Sequence, residues 1–174
     1  LSAFDPDTED DSADATVRKS IRLTSQASTI VTYHSRIRSE LDIVPPSTDL
    51  NHAGNFLYML TGVKPSQEDA DLIDKDFILH ADHGLNASAF TARVVASTRA
   101  DIHAAITAGL SSLKGPLHGG AAEGVMKMAT DIGDKSNIRN YVSSLRQQGK
   151  PVMGFGHPVY KTIDPRSVHL REGA

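Results

Sequence analysis

Residues 101–113 read Asp101-Ile102-His103-Ala104-Ala105-Ile106-Thr107-Ala108-Gly109-Leu110-Ser111-Ser112-Leu113. Ile102, Ala105, Ile106, Gly109, Leu110 and Leu113 recur in steps of three and four, the spacing of one face of an α-helix. Asp101 is a natural N-cap, and Gly115-Pro116 stops the pattern. Similar spacing extends outward. Val17, Ile21, Ala27, Ile30, Val31 and Ile37 predict a long helix closed before Pro45-Pro46, with Arg18, Lys19, Arg22, Arg36 and Arg38 on a solvated face. Ser47 or Asp49 can cap a short helix carrying Ala53, Phe56, Leu57 and Leu60, ended by Gly62. Ser66 with Asp69 signals the next start, and Asn86 or Ser88 another. Val125, Met126 and Ile132 predict a helix after the Gly-Pro break. Ser136 can cap one with Ile138, Tyr141, Val142 and Leu145. No segment alternates with period two, so the fold class is all-α with short connections. The last stretch, Ser167 to Ala174, stops just after a polar loop and offers no terminal element that could cap a core.

Composition narrows the function. A chain of 174 residues with 39% hydrophobic and 22% charged side chains can form a packed core, but aromatics at 5% leave it to aliphatic residues. A net charge of −3 argues against a generally basic nucleic-acid binder. The absence of cysteine excludes disulfides, thiolate nucleophiles and thiolate metal sites. No apolar run approaches the roughly 20 residues of a membrane span, and no signal peptide is visible. The expectation is a soluble, cytoplasmic protein. The acidic run Asp5, Asp7, Glu9, Asp10, Asp11, Asp14 reads as a solvated lead into the first helix; it lacks the glycine and terminal glutamate of a calcium loop. Small residues dominate from Ala87 to Gly109, which suits either a close helix pair or a subunit interface. Both ends look cut.

The chemistry concentrates in histidines. His118 sits in Gly115-Pro116-Leu117-His118-Gly119-Gly120, directly before a helical pattern. Unpaired N–H groups and the dipole of a helix start disfavour a cation there, so a neutral imidazole can donate a hydrogen bond to a carbonyl gaining negative charge. A structural histidine in a glycine turn is the alternative. His157 lies in Gly154-Phe155-Gly156-His157-Pro158, where the glycines allow close backbone approach to a ligand. Arg166, after Asp164-Pro165, offers a fork suited to a carboxylate, or is simply a surface arginine. His80 and His83 stand three apart and could form a metal pair, although no His-Glu-x-x-His motif accompanies them.

Taken together these segments resemble the citrate synthase family. They are Leu79-His80-Ala81-Asp82-His83 running to Thr91–Thr98, then Leu113–Ala121 around His118, then Gly154–Lys161 with Asp164-Pro165-Arg166, and also Asn55–Leu60 within Ser47–Gly62. The resemblance implies an enzyme condensing acetyl-CoA with oxaloacetate. It implies that His118 hydrogen-bonds the thioester oxygen and His157 polarises the ketone of oxaloacetate. His83 and Arg166 then bind oxaloacetate, with His80 in support. Lys161 falls near the CoA phosphates, and Val152, Met153, Gly154, Phe155 and Gly156 form the loop that recognises adenine. Residues 1–117 would belong to a large helical domain with dimer-forming helices, and 118–174 to the start of a small CoA-binding domain. The family works without metal or further cofactor, as a homodimer. Its catalytic aspartate and later arginines are expected beyond Ala174, so this stretch alone is expected to turn over little; Asp131, Asp134 and Asp164 are poor substitutes. The rivals are 2-methylcitrate synthase, using propionyl-CoA, an inactive helical dimerisation module, and a His-liganded metal protein.

Overall fold

The computed structural model describes residues 1–82, 84–156 and 160–171. His83 and His157 lie outside that set. Among the described residues the regular elements are all helical, as the spacing predicts: α1 (Ala13–Arg38), α2 (His52–Thr61), α3 (Gln67–His80), α4 (Ala87–Ser97), α5 (Ile102–Leu113), α6 (Gly120–Ile132), α7 (Ile138–Gln147) and α8 (Pro165–Arg171). No helix among them is long and apolar enough to cross a membrane. The chain divides into two units, one comprising Leu1–Gly84, Arg99–Ala104 and the segment from Pro165, the other Leu85–Thr98 and Ala105–Asp164.

In the first unit α2 packs on both α1 and α3, and α8 packs on α3. Phe77 is the hub, with the rings of Phe56 and His52 at 5.4 and 5.5 Å; His52 Nε2 also pairs with Ser28 Oγ of α1 at 3.1 Å. Ala15, Ala53, Met59 and Ala70 are buried. α1 is helical where expected, but its packing departs from the expectation. Val17, Ile21, Ile30, Val31 and Ile37 are 51–65% exposed, while Lys19 and Arg36 are buried. The physical reason is hydrogen bonding. Lys19 Nζ donates to the Asp10 carbonyl at 2.8 Å, and the Arg36 guanidinium donates to the carbonyls of Leu60, at 3.0 Å, and Asp42. Each cation is buried only because carbonyl oxygens replace its water.

The acidic lead is solvated at Glu9, Asp10, Asp11 and Asp14, as expected, but not at Asp5 and Asp7. Arg22 grips Asp5 with two bonds of 2.6 and 3.0 Å and reaches Asp7 at 2.6 Å; Arg18 grips Asp7 at 2.6 and 3.1 Å. The Asp5 side chain is 3% exposed. Its pKa is lowered, first by the hydrogen bond from Arg22, and that of Asp7 is held far below the carboxylate range by Arg18 and then Arg22.

Caps set the helix starts. Asn51, rather than Ser47 or Asp49, caps α2 by accepting from the Gly54 N–H at 2.8 Å. Ser47 is instead held by the Asn55 amide, through bonds of 2.7 and 2.9 Å. Ser66 caps α3 as expected, accepting from the Asp69 N–H and donating to its carboxylate at 2.6 Å. Where no terminal element is expected, Pro165–Arg171 forms α8. Pro165 begins it, with its φ preset for the first helical turn.

In the second unit α4 and α5 approach closely. A Cβ at Gly109 would stand 3.3 Å from the Ser88 carbonyl and 3.5 Å from Ala92 Cβ, so small residues here serve a tight helix pair. Asp134, rather than Ser136, caps the short 3-10 turn Lys135–Asn137 that leads into α7.

Candidate active site

The turn between α5 and α6 is built around glycine. α5 closes at Leu113, and the chain folds back so that the Gly119 N–H reaches the Leu113 carbonyl at 2.9 Å and the His118 N–H reaches the Gly115 carbonyl at 3.0 Å. A Cβ at position 119 would lie 2.4 Å from the Leu113 carbonyl oxygen. Only glycine closes this turn, and His118 is the residue immediately before it. His118 therefore stands two residues ahead of α6, as the sequence predicts. The N–H groups of Gly120, Ala121 and Ala122 differ from the expectation of free donors. They bond the carbonyls of Gly115, His118 and Gly119 at 3.4, 3.3 and 3.2 Å.

The half-buried His118 ring is held by α4. Its Nε2 lies 2.9 Å from Ser88 Oγ, which lies 2.8 Å from Asn86 Oδ1. A hydroxyl has one proton to give. Asn86 Oδ1 already accepts the Ala89 N–H at 2.9 Å, as the cap of α4. With the Ser88 proton directed to Nε2, the ring proton resides on Nδ1, which is then the free donor. With that proton directed to Asn86, Nδ1 is left as an acceptor. Ser88 Oγ thus fixes the orientation of the His118 ring, and the direction of its proton decides the tautomer.

The segment 152–156 lies against α6. The Phe155 N–H closes a turn onto the Val152 carbonyl at 3.3 Å, and Gly154 and Gly156 have φ of +83° and +88°, conformations glycine adopts without strain. A Cβ at Gly154 would meet Val125 Cγ2 at 3.2 Å. Val125 is five residues beyond the α6 start, about 7–8 Å along the axis. One helix thus carries the His118 turn at its beginning and the glycine loop on its second turn.

The family model described as citrate synthase, C-terminal domain, matches residues 1–174. The chain belongs to the citrate synthase family. It is 48% identical over 172 residues to citrate synthase 2 of Bacillus subtilis, covering 99% of this chain and 46% of that protein. It is 43% identical over 166 residues to a 2-methylcitrate synthase of Mycobacterium tuberculosis, covering 95% and 42%. The crystal structure of citrate synthase from Pyrobaculum aerophilum superposes with a TM-score of 0.85 at 39% identity, covering 99% of this chain and 46% of that one. The chain thus spans about half the length of the curated relatives it matches.

The remaining citrate synthase motif residues fall as follows. His80 is exposed at the end of α3, its Nδ1 2.8 Å from the Asp76 carbonyl oxygen. Arg166 is half-buried in the first turn of α8, the helix that packs on α3. Lys161 is exposed in the second unit. His83 and His157 lie outside the described residues. Among the described residues no three His, Asp or Glu side chains cluster as a metal site. Asp134 has its pKa lowered by the Ser136 hydroxyl and backbone N–H, which occupy a carboxylate oxygen and make it a poor proton acceptor. Sequence reading missed the partnership of Ser88 with His118. The signal was present as Asn86-Ala87-Ser88, where a capping side chain and a second hydroxyl share one helix start.

Proposed function

We propose that this chain carries the thioester-activating part of a citrate synthase, which condenses acetyl-CoA with oxaloacetate to give citrate and free coenzyme A. The observation that carries the reading is His118, oriented by Ser88 at the start of the helix on which the 152–156 loop rests. In this scheme the Ser88 proton turns from Asn86 to Nε2, and the His118 ring donates from Nδ1 to the thioester oxygen while a carboxylate removes a proton from the acetyl methyl. By the family resemblance that carboxylate stands outside this chain, which alone then turns over little. The enol carbon attacks the ketone carbon of oxaloacetate, forming the new C–C bond. Water then cleaves the citryl thioester, releasing coenzyme A. His157 polarises the ketone, and His83 and Arg166, with His80 in support, hold oxaloacetate. Lys161 meets the CoA phosphates, and the backbone of Val152–Gly156 reads the adenine. The reaction needs no cofactor beyond its thioester substrate.

The proposed organisation puts residues 1–117 in a large helical domain that pairs two copies into a homodimer, and 118–174 in a smaller CoA-binding domain. The protein works in the cytoplasm, in the tricarboxylic acid cycle. The likeness to a 2-methylcitrate synthase supports a second reading, with propionyl-CoA as the acyl donor. One methylene is worth about 1–3 kcal/mol in a pocket, so the ratio of kcat/KM for the two thioesters in the active enzyme decides between them. Calorimetry tests the shared core. Oxaloacetate should bind the wild-type protein, and His83→Ala should weaken that binding about tenfold or more by removing a donor to a charged ligand. Equal affinities would remove His83 from the site.

A further inference from the structure

The contact between the 152–156 loop and α6 has a specific seat. Met153 lies across the bare Cα of Gly124. A Cβ at that position would stand 2.7 Å from Met153 Cε, 3.4 Å from its Cγ and 3.6 Å from its Sδ. Gly154 lies against the next helix residue, Val125. Two successive loop residues therefore rest on two successive helix residues, one through a side chain and one through its backbone. Beyond the seat, Phe155 is 80% exposed and Gly156 has open space where its Cβ would be. The corner of the turn, Met153-Gly154, is seated while the residues that follow it are bare.

We propose that Met153 is a positioning residue: its thioether, sunk into the notch at Gly124, fixes the height and angle at which the 152–156 backbone is presented to the nucleotide end of coenzyme A. This rests on the assignment of that loop to coenzyme A made above. The notch requires the missing side chain at 124, because any Cβ there pushes the methyl end of Met153 away. A thioether is flexible and moves at small cost to packing. The fold therefore tolerates a methyl at 124, but the loop loses its seat. Stability and ligand affinity should separate, which a purely structural contact would not produce.

The test is calorimetric titration of the full chain with coenzyme A, alongside circular dichroism and thermal unfolding. Gly124→Ala should keep or raise helicity and Tm, since alanine favours a helix, while coenzyme A binds about five- to tenfold more weakly. Met153→Ala should weaken binding similarly. Gly124→Ala combined with Met153→Ala should recover affinity, the new methyl entering the space the thioether left. Affinity in Gly124→Ala equal to wild type, or a double variant weaker than either single one, overturns the proposal. Failure of the wild-type chain to bind coenzyme A would instead count against the assignment of the loop. Amide hydrogen exchange then decides the seat alone: faster exchange of the Phe155 N–H in Gly124→Ala supports it, and unchanged exchange refutes it.

Discussion

A histidine that polarises a carbonyl works only if its donor nitrogen is aimed and carries the proton. In the proposed reaction both conditions depend on one hydroxyl beside His118, Ser88 Oγ, at 2.9 Å from Nε2. Ser88→Ala removes that hydroxyl from an N-terminal helix position whose cap, Asn86, is untouched. The expected outcome in the active enzyme is a loss of about one to two orders of magnitude in kcat, with KM for oxaloacetate and the helical content little changed. A loss confined to KM would show that Ser88 shapes binding rather than the imidazole. The glycines of this turn are legible in the sequence as permission for a tight bend. Their strict need is not: the 2.4 Å clearance at Gly119 arises from the Leu113 carbonyl, six residues away and fixed by the end of α5.

Elements were legible wherever a period and a cap coincided. α3, α4 and α5 start at Ser66, Asn86 and Asp101, each among the starts the sequence offers, because the side-chain acceptor lies beside the first periodic residue. α2 was shifted because Asn51 lies nearer the first turn than Ser47 or Asp49, and Asn55 occupies Ser47. α8 was missed because its seven residues are too few to show a period. The packing face of α1 was not legible either. The carbonyls that bury Lys19 and Arg36 come from Asp10, Asp42 and Leu60, and spacing within one helix cannot reveal acceptors on other segments. Arg36→Ala leaves two carbonyls without their donor and should cost about 2–4 kcal/mol, measured as a lower urea midpoint. A shift below about 0.5 kcal/mol would mean that water replaces the guanidinium.

Electrostatics at the same scale gives a sign. Asp5 and Asp7 have folded-state pKa values lowered by Arg22 and Arg18, so the unfolded chain binds their protons more tightly. Their stabilisation is present above the ordinary carboxylate range and is lost as pH falls through and below about 4. The urea midpoint should drop between pH 6 and pH 3, and Asp7→Asn should flatten that dependence. An equal slope in the variant would place the acid sensitivity elsewhere.

At the scale of the molecule, the class, the family and the His118 turn were all within reach of the sequence, because glycine, proline and histidine in a fixed order leave few structural solutions. The surface was not. Apolar side chains at helical spacing suggest a core face, yet along α1 Val17, Ile21, Ile30, Val31 and Ile37 are exposed. The chain spans about half of its curated relatives, and the function proposed for it rests on the residues at the start of α6.

The most direct test of that chemistry is the turnover number of the active enzyme with acetyl-CoA and oxaloacetate, compared between wild type and His118→Ala. Removal of a donor aimed at developing oxyanion charge should lower kcat by about two to three orders of magnitude while circular dichroism is unchanged. A variant that retains near wild-type kcat would show that the imidazole at the head of α6 takes no part in the reaction.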